Sequence, residues 1–183
     1  MDSKVAMCNA YKPNLVVDIH FNAGGGSGFE VYRYSGGGTS LALAENINTE
    51  VKKIMSSRGV KAKLGTNGKD YFAIIRETDA PAVLLEGGFV DTKSDADFIK
   101  ANYKKLAEAY AAGILKTLGI SVNQTTTAKP VLDKSGYKKG DSTIGSLALK
   151  ELLLLAKSEI SIFDILLQRY RFCVHLRKNH GSF

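Results

Sequence analysis

The chain has 183 residues, 44% of them hydrophobic and 23% charged, which suits one compact domain of ordinary core size with at most a small appendage. Eighteen Gly, three Pro and no Trp exclude collagenous, low-complexity and wholly disordered chains. The net charge of +7 is uneven: residues 1–120 are nearly balanced, while 121–183 hold twice as many basic as acidic residues. A positive surface suits nucleic acid, an anionic membrane or acidic wall polymers, and charge alone does not choose among them.

Cys8 and Cys173 are the only cysteines. They form neither a disulfide framework nor a CxxC pair, and two reduced thiols are the expectation. The first eight residues lack the apolar core of a secretory signal, and no apolar run approaches the length of a membrane span. Action outside a cell would then require delivery by another protein or a missing N-terminal piece.

In chain order, Leu15 to Phe21 (LVVDIHF) reads as a buried strand closed by Asn22, Ala23 and three glycines. Phe29 to Tyr34 (FEVYRY) is a second strand by aromatic and β-branched content. From Thr39, apolar residues recur at three-to-four spacing through Met55, predicting an amphipathic helix of about five turns that stops at Gly59. Tyr71 to Ile75 and Ala82 to Leu85 read as short strands, the second running into Glu86-Gly87-Gly88-Phe89. Residues 94–118 predict a short helix and then a longer one, stopped by Gly119.

This alternation predicts an α/β fold, a mostly parallel sheet flanked by helices. Residues 121–130 have the polar, aperiodic look of a linker. Beyond it, 131–183 is expected to be a small, incomplete helical module: an amphipathic helix over 142–157, then a basic helix or tail over 160–183.

The chemistry concentrates on His20 and Glu86. Each ends an apolar strand and is followed by small residues that let a ligand approach the backbone. In an open α/β sheet, ligands bind beyond the carboxyl ends of the strands. The bland alternatives are a hydrogen-bonded structural histidine and a turn-capping glutamate. Asp18 shares the face of His20 by strand alternation; it reads as a buried hydrogen-bonded carboxylate ahead of an orienting group or substitute ligand. Asn22 reads as a turn residue. Cys173, His175 and His180 are metal-ligand types lacking a fourth partner, and read as part of a basic tail. The glycine clusters lack the ending of a phosphate loop, so nucleotide chemistry ranks last.

Three segments resemble motifs of the type-3 family of zinc-dependent N-acetylmuramoyl-L-alanine amidases, found in autolysins and phage endolysins. Asp18-Ile19-His20-Phe21-Asn22-Ala23 is similar to the family's strand end, Glu86-Gly87-Gly88-Phe89-Val90-Asp91 to its glutamate segment, and Arg76 to Pro81 (RETDAP) to the approach between them. The resemblance spans about residues 3–118. It implies His20 as a Zn²⁺ ligand, Glu86 as the catalytic carboxylate, and hydrolysis of the amide joining N-acetylmuramic acid to L-alanine. Peptidoglycan is the implied partner and the bacterial cell wall the place of action, with neither nucleic acid binding nor membrane insertion.

One departure matters. The family supplies a further His and a Glu upstream of the His-x-Asn-Ala strand, whereas no residue before His20 is either. A catalytic zinc site usually has three protein ligands and a water, so the chain reads as N-terminally truncated, with an incomplete zinc site and little activity. Residues 132–158 also resemble the opening of a small wall-binding module of endolysins, which 160–183 do not continue. The competing expectation is a non-catalytic peptidoglycan-binding fragment.

Overall fold

The computed structural model describes residues 3–119 and 172–176. The elements are α1 (Ser3–Tyr11), β1 (Leu15–Asn22), β2 (Phe29–Arg33), α2 (Thr39–Val51), β3 (Ser57–Lys61), α3 (Ala73–Arg76), β4 (Ala82–Phe89), α4 (Lys93–Thr117) and β5 (Phe172–Leu176). The strands form one sheet in the order β3-β2-β4-β1-β5. The pairs β1/β4, β1/β5 and β2/β3 are parallel, and β2/β4 is antiparallel. A mostly parallel sheet flanked by helices is what the alternation of patterns predicts.

Strand alternation divides the core. Leu15 and Val17 of β1, Phe29 and Val31 of β2, and Val83 and Leu85 of β4 face Leu43, Ile47, Leu106, Tyr110 and Ile114 of α2 and α4. Val16, Ala82 and Leu84 face the other way, onto Val5 and Cys8 of α1 and Ile74 and Ile75 of α3. The two long helices thus seal one face, and two short ones cover part of the other. Where α2 crosses α4 the backbones nearly touch, because a Cβ on Gly113 would lie 2.5 Å from Ile47 Cα.

Several expectations are corrected. The helix predicted from Thr39, α2, is shorter than expected and ends at Val51; beyond a turn, Ser57–Lys61 forms edge strand β3. Ile54 and Met55 extend the helical period in sequence, but they pack against the main core from that turn. Tyr71 to Ile75 does not form a strand: Ala73–Arg76 is one helical turn, with Ile74 and Ile75 buried under the sheet, so packing overrides the β-propensity of the segment. Helix α1 escapes the sequence reading because, among its described side chains, only the hydrophobic pair Val5 and Cys8 is buried. The short helix and the longer one expected over 94–118 meet inside α4, at a kink at Asn102 (φ −129°).

Residues 172–176 form neither helix nor tail. They pair in parallel with Leu15–Ile19 of β1, as the β-branched and aromatic content of Phe-Cys-Val-His-Leu allows. Cys8 is disulfide-bonded, correcting the expectation of two reduced thiols. Distance in sequence concealed this, because β5 brings Cys173, the chain's other cysteine, opposite Val16. The predicted linker at 121–130 and helix at 142–157 lie outside the described residues. Among the described residues no helix is long and apolar enough to cross a membrane.

Candidate active site

The site is built by strand register. His20 and Glu86 are direct partners across the parallel β1/β4 pair, and Glu86 is in turn the partner of Glu30 across the antiparallel β4/β2 pair. Cross-strand partners point to the same face. An imidazole and two carboxylates therefore line one rung of the sheet at the carboxyl ends of β1 and β4, on the face that carries α1 and α3. Asp18, two residues back along β1, joins them.

Asp18 is 2% exposed and lies 3.0 Å through Oδ2 from His20 Nε2 and 3.7 Å from Lys4 Nζ. The 3.0 Å approach lacks the alignment of a hydrogen bond, so among the described residues Nε2 has no hydrogen-bond partner; neither has Asp18 Oδ1 nor Glu86 Oε2. Three buried polar atoms without hydrogen bonds in one crevice are unusual in a folded interior, and they mark it as a place for a ligand. Burial pushes the Glu86 carboxyl up to about 7; the His20 ring opposes this, while the charges of Glu30 and Asp18 add to it. A carboxyl so placed exchanges its proton near neutral pH.

Glu30, 3% exposed, is held differently. Burial works to raise its pKa, but hydrogen bonds from Lys61, Arg58 and Tyr32 outweigh that and leave it below the ordinary carboxylate range. Arg58 Nε donates to Oε2 at 2.7 Å, Tyr32 Oη to Oε1 at 2.8 Å, and Asn22 Nδ2 to Oε1 at 3.1 Å. Burial and the adjacent Glu30 push the Tyr32 phenol up to about 12, keeping it a proton donor at neutral pH.

The rim is shaped by glycines. Strand β4 lies between β1 and β2, so loop 23–28 must arch over the end of β4 to join them. Gly24 (φ 126°) and Gly25 (φ 72°) take backbone conformations that side chains disfavour, and both amides donate to Asp91 Oδ2, at 2.6 and 3.0 Å. Asp95 anchors the far end of the arch, accepting from the Gly28 and Phe89 amides and from Ser27 Oγ. On β4 one extra residue lies between the His20/Glu86 and Asn22/Phe89 partners, a β-bulge at Gly87-Gly88.

The structure thus brings His20, Glu86 and Asp18 together. Asn22 shapes the turn, its Oδ1 accepting the Ala23 amide at 2.9 Å, and it also ties the turn to Glu30. The backbone of β5 sets His175 opposite Asp18, and His180 lies outside the described residues. Sequence reasoning missed Glu30, Arg58 and Asp95, and met Asp91 only as the end of the glutamate motif, with no role. The one available signal was a carboxylate within the apolar strand Phe-Glu-Val-Tyr, in step with Tyr32.

His20 Nε2, buried and without a hydrogen bond among the described residues, is a suitable donor for a borderline metal such as Zn²⁺. Among the described residues, however, no three His, Cys, Asp or Glu side chains are grouped as a metal site. One imidazole with one adjacent carboxylate falls short of the usual three-ligand catalytic zinc site, so these residues alone do not fit the metal.

An α/β sheet that sets a buried carboxyl beside an imidazole at its strand ends can exchange a proton with a ligand bound there. The particular family follows from comparison: residues 1–116 match the Amidase_3 family, N-acetylmuramoyl-L-alanine amidase, and the chain belongs to it. The chain is 34% identical over 124 residues to the N-acetylmuramoyl-L-alanine amidase CwlM of Bacillus licheniformis, covering 66% of this chain and 47% of that protein. It is 33% identical over 137 residues to the endolysin of Bacillus phage SPP1, covering 72% and 50%. Its fold is similar to the catalytic domain of the amidase CwlV from Bacillus (Paenibacillus) polymyxa var. colistinus, with TM-score 0.55, 27% identity and 64% of each chain covered. The chain spans about half the length of these curated relatives.

Proposed function

We propose that this protein is a peptidoglycan hydrolase acting at the bacterial cell wall, cleaving the amide between N-acetylmuramic acid and L-alanine, with Glu86 as the catalytic carboxylate and His20 as a zinc ligand. The observation that carries the proposal is the Glu86 carboxyl, raised to about 7 by burial and set opposite His20 on one rung of the sheet. Near neutral pH this group takes a proton from water as the water oxygen adds to the amide carbon. It returns the proton to the departing alanine nitrogen as the C–N bond breaks, leaving the lactyl carboxylate of muramic acid and a free amine. Both transfers need a pKa near the working pH.

Membership of the family supports zinc as the cofactor, with His20 the residue of this chain that matches a ligand. The described donor set is too small for a complete site, so we expect weak zinc affinity and slow hydrolysis. Residues 1–120 form the catalytic unit in this reading, with 121–130 a linker and 131–183 a partial wall-binding module whose segment 172–176 joins the catalytic sheet. The competing reading, a peptidoglycan-binding fragment without catalysis, has less support, since the matched family and relatives are amidases.

The two readings part in one experiment. The full chain and Glu86→Gln are incubated with purified peptidoglycan, and both bound protein and newly freed alanine amino groups are measured. Slow amine release that disappears in Glu86→Gln while binding persists supports the amidase. Binding without release by either protein supports the binding fragment, and amine release that survives the substitution refutes the role of Glu86.

A further inference from the structure

Arg58 is presented in an unusual way for a surface arginine. Its Nε is fixed by the buried Glu30 carboxylate at 2.7 Å, its guanidinium carbon lies 5.4 Å from the centre of the Phe89 ring, and its side chain is 44% exposed. Among the described residues neither Nη1 nor Nη2 has a hydrogen-bond partner. The group is therefore clamped at one edge, stacked on an aromatic face, and open along the edge that suits a carboxylate. A free surface arginine must give up rotamer freedom to make such a contact, whereas this one is already ordered.

The local pairing leaves room for an anion. Arg58 and Lys61 both reach the single Glu30 carboxylate, so Glu30 alone does not neutralise the two cations. The position is also set. Arg58 stands on β3, two strands from β4 in the order β3-β2-β4, so it lies about 10 Å across the sheet from the Glu86 strand. In a peptide running from a scissile amide at Glu86, the α-carboxyl of the second residue lies about 7 Å away. The reach of the arginine side chain closes the difference.

We propose that Arg58 is a specificity-determining residue that binds a free α-carboxylate on the second residue of the peptide stem. Stems carrying a carboxylate there are thus distinguished from stems carrying a carboxamide. The inference rests on the function proposed above. A carboxylate forms two parallel charge-assisted hydrogen bonds with the Nη1/Nη2 edge, whereas a carboxamide offers one acceptor and no charge.

The test is calorimetric titration of the full chain in a Glu86→Gln background, so that ligand is not consumed. The probes are N-acetylmuramoyl-L-alanyl-D-glutamate and its α-carboxamide, both with the γ-carboxyl capped as the methylamide. The expected result is binding of the carboxylate about ten-fold more tightly than the amide. Adding Arg58→Met removes that preference and leaves amide binding in place, with the fold checked by its melting curve. Arg58→Lys, which keeps the charge and loses the fork, retains only part of the preference, and serves if Arg58→Met fails to fold. Equal binding of the two probes, or a preference unchanged by either substitution, overturns this inference alone. Binding of neither probe overturns the proposed function and this inference with it.

Discussion

Substitution of Glu86 by glutamine separates the cost of burying this side chain from its chemistry. Burial raises its pKa from the ordinary 4.5 to about 7 in the folded protein, so the folded state holds this proton more tightly than the unfolded chain does. Below about pH 4.5 the carboxyl is protonated in both states and contributes no penalty. As pH rises from there through 7, the unfolded chain ionises freely while the folded one must bury a charge, and stability falls. A difference of roughly 2.5 pKa units at 1.36 kcal/mol each gives about 3 kcal/mol at full development. Glutamine has nearly the same shape and never ionises. Glu86→Gln should therefore match the parent protein near pH 4 and exceed its stability by up to about 3 kcal/mol at pH 8.5. Urea unfolding of both proteins at several pH values in the presence of a chelator measures the difference, with equal m-values showing that the states compared are the same. A difference that does not change with pH, or a variant that loses ground as pH rises, would refute the assignment of a buried neutral-range carboxyl.

Glu30 should behave in the opposite sense. Its pKa is lowered by its partners, so its contribution is present at neutral pH and fades as pH falls through the folded-state pKa. Glu30→Gln should cost about 3 kcal/mol near pH 7, as expected for breaking a buried ion pair from one side, and the deficit should shrink in acid unfolding experiments. Gly113→Ala places a Cβ 2.5 Å from Ile47 Cα and 2.6 Å from its backbone nitrogen. Helices α2 and α4 must then separate, costing about 1–3 kcal/mol, seen as a lower melting temperature. Asp95→Asn should raise the hydrogen-exchange rates of the Gly28 and Phe89 amides, which Asp95 now accepts, while amides in the middle of α4 keep their protection.

The legible parts of this molecule were those where local pattern and tertiary role coincide. Leu15 to Phe21 and Ala82 to Leu85 are short apolar runs because both faces of their strands are covered, so their strand character and their polar ends were visible together. The kink in α4 was readable because the apolar period restarts after Asn102. Edge strand β3 was not, since Ser-Arg-Gly-Val-Lys has one exposed side and neighbours that continue the helical spacing of α2. Tyr71 to Ile75 misled for the opposite reason, its β-branched and aromatic residues serving a single buried helical turn. His20 and Glu86 were found as strand ends beside glycines. Glu30 and Arg58 were not, because the one belongs to a strand whose neighbour is set by long-range topology and the other to a strand that sequence did not reveal.

The reversed direction of β2 beside β4 has a consequence for how this domain can vary. Because Glu30 reaches the Glu86 rung only through the short arch 23–28, adding or deleting a single residue there would turn Phe29 or Val31 toward the crevice and send the carboxylate into the oily side of the sheet. The hairpin-like excursion between β3 and α3, closed by the Leu64/Asp70 bridge and anchored by the buried Asp70 on Ser35, carries no such constraint at its exposed tip, residues 66–69. Length variation among descendants of this sequence should therefore collect in that excursion and spare the arch.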